Sequence, residues 1–306
     1  MFDKAKYGRI LVPILTPYAA DQSVDHTALK KLAVHLVDNK LCDSLVLSGT
    51  TGEFHTQRFE ERVAIFESVK AAVAGRVPLI AGVGSASTIE TAALAKKAVE
   101  MGFDTAMVVA PYYTKPTQRE LYAHYTEIAR AVPTLNIMVY NIPIFTGVNV
   151  DPATLGALAT LPNIVAVKEE AELNPKQITG FLNATPESFI IYNGDDTMIL
   201  EAYAQGGDRR IGGVISGASH AVGNYIRTMI ETFLAGRIDE AAGMQRKLYP
   251  LLKIMGQNGR TNPAPLWKDA MKLLGVDAGI PRRPLSAGTP EEVAEVRKAM
   301  VTFGLL

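Results

Sequence analysis

The chain has 306 residues, 48% of them apolar and 20% charged, which is material for two average domains or for one large α/β barrel with a sizeable core. Its 31 basic residues are matched by 31 acidic ones, which argues against nucleic acid or an anionic membrane as the main partner, because both demand a basic surplus. Cys42 is the one cysteine, so an intrachain disulfide and a cysteine-built metal site are excluded.

The first ten residues are charged and lack a long apolar core, and no run approaches the roughly 18 apolar residues of a membrane span. A cytoplasmic protein is therefore expected. In chain order, short β-rich runs fall at 10–15, 44–47, 78–82, 105–109, 136–140, 164–168, 189–192 and 213–216. Amphipathic stretches of helical length alternate with them, at 25–39, 58–74, 88–101, 118–131, 152–158, 175–183, 197–205 and 220–235. Strand and helix in alternation predict βαβ units and a parallel sheet.

Runs such as Ala106-Met107-Val108-Val109 and Ile164-Val165-Ala166-Val167 are almost wholly apolar, as strands buried on both faces are. Eight such units fit a closed (β/α)₈ TIM barrel over residues 1–235 better than an open doubly wound sheet. The remainder, 236–306, reads as three helices, at 237–255, 264–274 and 290–301. They are too few for an independent core, so a C-terminal helical cap packed on the barrel is expected.

In such a barrel the chemistry sits at the carboxyl ends of the strands. The second strand runs into Ser48-Gly49-Thr50-Thr51-Gly52-Glu53, where two glycines around two threonines allow a tight turn suited to cradling a carboxylate, or simply a loop turned by glycine. The fifth ends at Tyr140-Asn141-Ile142-Pro143 and the sixth at Lys168-Glu169-Glu170. A lysine closing an apolar strand is unusual, since desolvating an ammonium is costly, and the same cost frees the amine for Schiff-base chemistry. The alternative is a strand cap paired with Glu169 or Glu170. Tyr140 closes the neighbouring strand about 4.8 Å away, so its hydroxyl could move the protons that imine formation requires.

Other signals are weaker. The five histidines show no metal-binding spacing. Gly82-Val83-Gly84-Ser85 reads as a barrel loop and Gly212-Gly213 as close backbone approach in the eighth strand. Asp195-Asp196 reads as helix capping, and Arg282-Arg283 as solvated surface.

Taken in order, Gly49-Thr50-Thr51-Gly52-Glu53, Pro111-Tyr112-Tyr113-x-x-Pro116, Tyr140-Asn141-Ile142-Pro143, Lys168-Glu169 and the later Asn262-Pro263-x-Pro265 resemble the dihydrodipicolinate synthase and N-acetylneuraminate lyase family of class I pyruvate aldolases. The likeness spans nearly the whole chain. It implies an imine between Lys168 and a 2-oxo acid, Tyr140 as proton relay, and Thr50 between Tyr140 and Tyr113. Tyr113 would reach in from a neighbouring subunit. Thr50 and Thr51 would hold the pyruvate carboxylate, and Gly194 and Ile215 would line the site. It further implies a homotetramer built as a dimer of dimers, and no cofactor beyond the imine itself.

Two departures bear on the second substrate. Phe145 stands where synthases of the family carry an arginine for that substrate's carboxylate, and a phenyl ring cannot make the bidentate pair. Glu169-Glu170-Ala171-Glu172 replaces a smaller, glycine-containing turn. Phe59 and Arg62 stand where lysine-sensitive members carry histidines, so feedback by lysine is not implied. The expected function is a lyase joining or cleaving pyruvate and an aldehyde. The alternatives are condensation with aspartate semialdehyde, an aldolase or dehydratase of 2-keto-3-deoxy sugar acids, and a non-catalytic protein that binds a small acid.

Overall fold

The structure, a computed structural model, describes residues 3–170 and 174–306. Eight strands close in chain order into a parallel barrel: β1 (Ile10–Pro13), β2 (Ser44–Leu47), β3 (Leu79–Gly82), β4 (Thr105–Val109), β5 (Asn136–Asn141), β6 (Ile164–Glu169), β7 (Ile190–Asn193) and β8 (Ile211–Ile215). The expected (β/α)₈ barrel is thus the fold observed. Almost every strand residue is buried, as the continuous apolar runs required.

The chain divides into two compact units, one of Met1–Arg9 with Leu79–Ile215, the other of Ile10–Pro78 with Ser216–Leu306. The first holds β3 to β8, the short helix α1 (Lys4–Tyr7), and α4 (Thr88–Glu100), α5 (Gln118–Ala131), α6 (Pro143–Thr146), α7 (Pro152–Leu158), α8 (Gln177–Ala184) and α9 (Ile199–Arg210). Its glycines sit where backbone needs room. A Cβ on Gly213, at φ 151°, would fall 2.1 Å from the Arg9 carbonyl oxygen, and one on Gly84 2.6 Å from the Val109 nitrogen. The Gly212-Gly213 pair is therefore a place of close packing, as its sequence suggested.

The second unit holds β1, β2, α2 (His26–Asp38), α3 (Phe59–Val73), α10 (Ser219–Leu234) and the tail helices α11 (Ile238–Ile254), α12 (Ala264–Leu273) and α13 (Pro290–Phe303). The Phe303 ring of α13 meets Tyr225 of α10 edge-on at 4.9 Å. Strand β1 stops at Pro13, short of the expected residue 15. Proline has no N–H to donate, although Ile14 still donates to Val46 O at 3.0 Å.

One expectation fails in this unit. Arg282 is not solvated surface. Its guanidinium pairs with Glu61 at 2.7 Å, stacks 4.2 Å over the Tyr18 ring, and its backbone N–H donates to Glu53 Oε2 at 2.7 Å. Glu53 is itself wholly buried and ion-paired with Lys268 of α12, which is 1% exposed. A carboxylate buried that deeply needs a cation and full hydrogen bonding, and the tail supplies both.

His220 of α10 is fully buried. Its Nε2 accepts from the Leu15 N–H at 3.0 Å, and Nδ1 bonds the Gly217 carbonyl at 2.8 Å. Those partners require a neutral ring, and burial pushes its pKa down to about 4. An unfolded histidine titrates near ~6.5, so as pH falls the unfolded chain takes up the proton first. The stabilisation is complete above about pH 6.5 and is lost progressively toward pH 4, roughly 3 kcal/mol in all. Urea titrations are expected to show stability falling from neutral pH toward pH 5, with a shallower fall in His220→Gln. His124 of α5, in the other unit and also held near 4 by burial, adds to the slope that remains.

Candidate active site

Strands β5 and β6 pair in parallel with Tyr140 opposite Lys168 and Asn141 opposite Glu169. Alternate residues of a strand face opposite sides, so the two couples divide between the two faces. On one face, Lys168 Nζ lies 4.2 Å from the centroid of the Tyr140 ring, inside the range where a cation is drawn to an aromatic face. Both residues are almost fully buried, at 4% and 2% exposure. The strand-end meeting expected of Lys168 and Tyr140 is what the structure places there.

On the other face, the Glu169 carboxylate accepts from Asn141 Nδ2 at 2.9 Å and from Gln177 Nε2 at 3.4 Å. Asn149 ties this group together, accepting from Gln177 Nε2 at 2.6 Å and from Asn141 Nδ2 at 2.9 Å. Burial pushes the Glu169 carboxyl up to about 7 against those hydrogen bonds. The expected alternative, a strand cap in which Lys168 pairs with Glu169, does not form. Among the described residues Lys168 has no ion pair or hydrogen bond; it faces the Tyr140 ring and the charge of Glu170.

Gly194 follows β7, and its N–H donates to Glu169 O at 2.7 Å. A Cβ at Gly194 would stand 2.7 Å from Lys168 Cε, so the absence of a side chain there makes room for the lysine. Gly194, Lys168 and Tyr140 therefore come together. Ile215 ends β8 and is 1% exposed. Phe145 lies on α6 at 39% exposure, and Tyr113, with a left-handed backbone at φ 76°, is 91% exposed. Neither is drawn in to Lys168. Thr50 and Thr51 are half-buried in the loop after β2, in the other unit. There Ser48 and Glu53 both take positive φ, and a Cβ on Gly52 would strike the Ile14 carbonyl oxygen at 2.9 Å.

Asp195 caps a turn rather than the helix itself: its carboxylate takes the Thr197 N–H at 2.7 Å and the Thr197 hydroxyl at 2.8 Å, and α9 starts only at Ile199. No cluster of metal-ligating side chains occurs among the described residues. None of their helices is long and apolar enough to cross a membrane. Ala171 and Glu172 lie outside the described residues.

Sequence reasoning passed over Tyr192, which stands in register with Lys168 on the side opposite Tyr140. Its hydroxyl donates to the Gly8 carbonyl at 3.2 Å, and its ring fills the space Gly212 leaves open, where a Cβ would be 2.5 Å from Cζ. The repeated Tyr-Asn at residues 140–141 and 192–193 is the signal that marks it.

A buried amine against a tyrosine ring, with a glycine opening the approach, is an arrangement that can add to a carbonyl carbon. The Dihydrodipicolinate synthetase family matches residues 6–302. The chain is 42% identical over 301 residues to a 4-hydroxy-tetrahydrodipicolinate synthase of Moorella thermoacetica, covering 98% of this chain and 100% of that one. One from Thermosynechococcus vestitus is 42% identical over 300 residues, covering 98% of each. Among solved structures, DHDPS from Cyanidioschyzon merolae with lysine bound superposes with a TM-score of 0.91 at 38% identity, covering 98% of this chain and 99% of that one.

Proposed function

The chain belongs to the dihydrodipicolinate synthetase family, and from that premise we propose how its own residues act on a 2-oxo acid. The protein is a lyase that works through a lysine Schiff base on pyruvate or a close relative of it. Lys168 is the amine that condenses with the 2-oxo carbon, and Tyr140 moves protons to and from the adduct. Thr50 and Thr51 hold the carboxylate, Thr50 and Tyr113 extend the proton path, and Gly194 and Ile215 bound the site. The observation that carries this reading is the contact of 4.2 Å between Lys168 Nζ and the Tyr140 ring.

No external cofactor is needed, because a protonated imine withdraws electrons from the neighbouring carbon–carbon bond by itself. The same reading makes the protein a cytoplasmic homotetramer. In it Tyr113, exposed in the single chain, reaches a neighbouring subunit.

The second substrate is an aldehyde. Phe145 offers no charge for a distal carboxylate, which favours an uncharged partner. Condensation with aspartate semialdehyde is the second reading, favoured by the names of the relatives and by Lys115. A Cβ on Gly147, two residues past Phe145, would lie 2.9 Å from Lys115 Cε, so a cation stands in the same loop cluster. Steady-state assays with pyruvate and a panel of aldehydes, aspartate semialdehyde among them, separate the two. Turnover with no member of the panel, in either direction, overturns both.

Tyr140→Phe is expected to lower kcat by roughly 10²- to 10⁴-fold, the range for loss of a positioned proton-transfer group, with a much smaller change in KM. Unchanged kcat would remove Tyr140 from the mechanism.

A further inference from the structure

Glu170 follows β6, and its N–H still donates to the Asn141 carbonyl at 3.0 Å, so the strand pairing carries on through it. Residues two apart on a strand share a face, which turns Glu170 to the side of Lys168 and away from that of Glu169. The two side chains meet at Gly194. The position a Cβ would take there is 2.7 Å from Lys168 Cε and 3.1 Å from Glu170 Oε2.

The charges facing Glu170 are unequal in sign. Burial raises its carboxyl well above the usual range, Lys168 pulls it back, and Asp195 and Asp196 after β7, with Glu169 on β6, raise it further. From β5 the site receives the Tyr140 ring rather than a charge. Lys168, 4% exposed, forms no ion pair or hydrogen bond with any other described residue. A buried amine and a half-buried carboxyl thus meet beside Gly194.

We propose that Glu170 is the counter-ion of the protonated imine on Lys168. This rests on the Schiff-base reading above. Condensation joins Nζ to the 2-oxo carbon, expels one water, and leaves a proton and a positive charge on nitrogen, with no change of oxidation state. That charge must persist, because it is what draws electrons from the carbon–carbon bond being made or broken. A carboxylate that meets the lysine stem at Gly194 holds the proton on the nitrogen. The fixed cation in turn draws the Glu170 carboxyl back toward its ionised form.

The test is borohydride trapping of the pyruvate adduct over a pH series, with kcat and KM followed in parallel. In Glu170→Gln, which removes the charge and keeps the shape, the alkaline midpoint of trapping is expected to move down by about one unit. At pH above the midpoint kcat should fall about tenfold, and KM for the 2-oxo acid less. Glu170→Asp, which keeps the charge, should return the midpoint toward that of the wild type. Identical midpoints in wild type and Glu170→Gln would overturn the proposal. So would equal displacement in the Gln and Asp variants, which would trace the effect to packing. Failure of the wild type to trap pyruvate at any pH would overturn the Schiff-base reading together with this one.

Discussion

Replacing Lys168 with alanine is expected to cost roughly 10⁴- to 10⁶-fold in kcat, the scale seen when a covalent nucleophile is removed. No neighbouring group can take over, because Glu169 and Glu170 are acids and the nearest aromatic, Tyr140, is a weaker nucleophile at neutral pH. The fold should survive. The amine is buried with no ion pair to break among the described residues, so the lost packing of its methylenes is offset by no longer desolvating an ammonium. Melting curves of Lys168→Ala near those of the wild type, alongside lost turnover, would assign the effect to chemistry. Residual activity within tenfold of the wild type would mean that the carbonyl is held elsewhere.

The second large effect is on stability. Lys268 donates to Glu53, to Thr16 O at 2.7 Å and to Ile280 O at 2.8 Å. Lys268→Met fills the same space with an uncharged chain and leaves Glu53, 0% exposed, with the Arg282 N–H as its main remaining support. Breaking one partner of a buried ion pair costs about 3–5 kcal/mol. In a chain of this size that is a fall in Tm of roughly 10 °C. The double variant Lys268→Met, Glu53→Gln should regain part of the loss, since no buried charge is then stranded. Glu53 also anchors the loop that carries Thr50 and Thr51, so KM for pyruvate should rise in the single variant. A shift of Tm below about 2 °C would mean that water reaches the pair.

Which of these features could be read from the sequence follows from the range of the interactions. The strands were legible because burial on both faces demands unbroken apolar runs, and Ile164–Glu169 is such a run until Lys168 interrupts it. That interruption is local, so Lys168 and, one repeat earlier, Tyr140 stood out without any structure. The role of Arg282 was not legible. Its partners Glu53 and Glu61 lie 229 and 221 residues away, and an Arg-Arg in a polar tail looks like surface until the loop it holds is folded against it. In sequence Glu53 is only the end of a glycine turn, because nothing local reveals that its carboxylate is buried. The short helix α6 leaves no mark in the sequence, since four residues carry too little periodicity to register. Tyr192 escaped because a tyrosine closing an apolar strand is common, and its register with Lys168 belongs to the sheet.

The central claim, that Lys168 carries the substrate as an imine, is tested most directly by reducing the protein with borohydride in the presence of pyruvate and mapping the product by mass spectrometry. The account predicts one pyruvate-derived adduct per chain, on the peptide containing Lys168, and none in Lys168→Ala. Folded wild-type protein that stays unmodified, or that carries the adduct on another lysine, would contradict it.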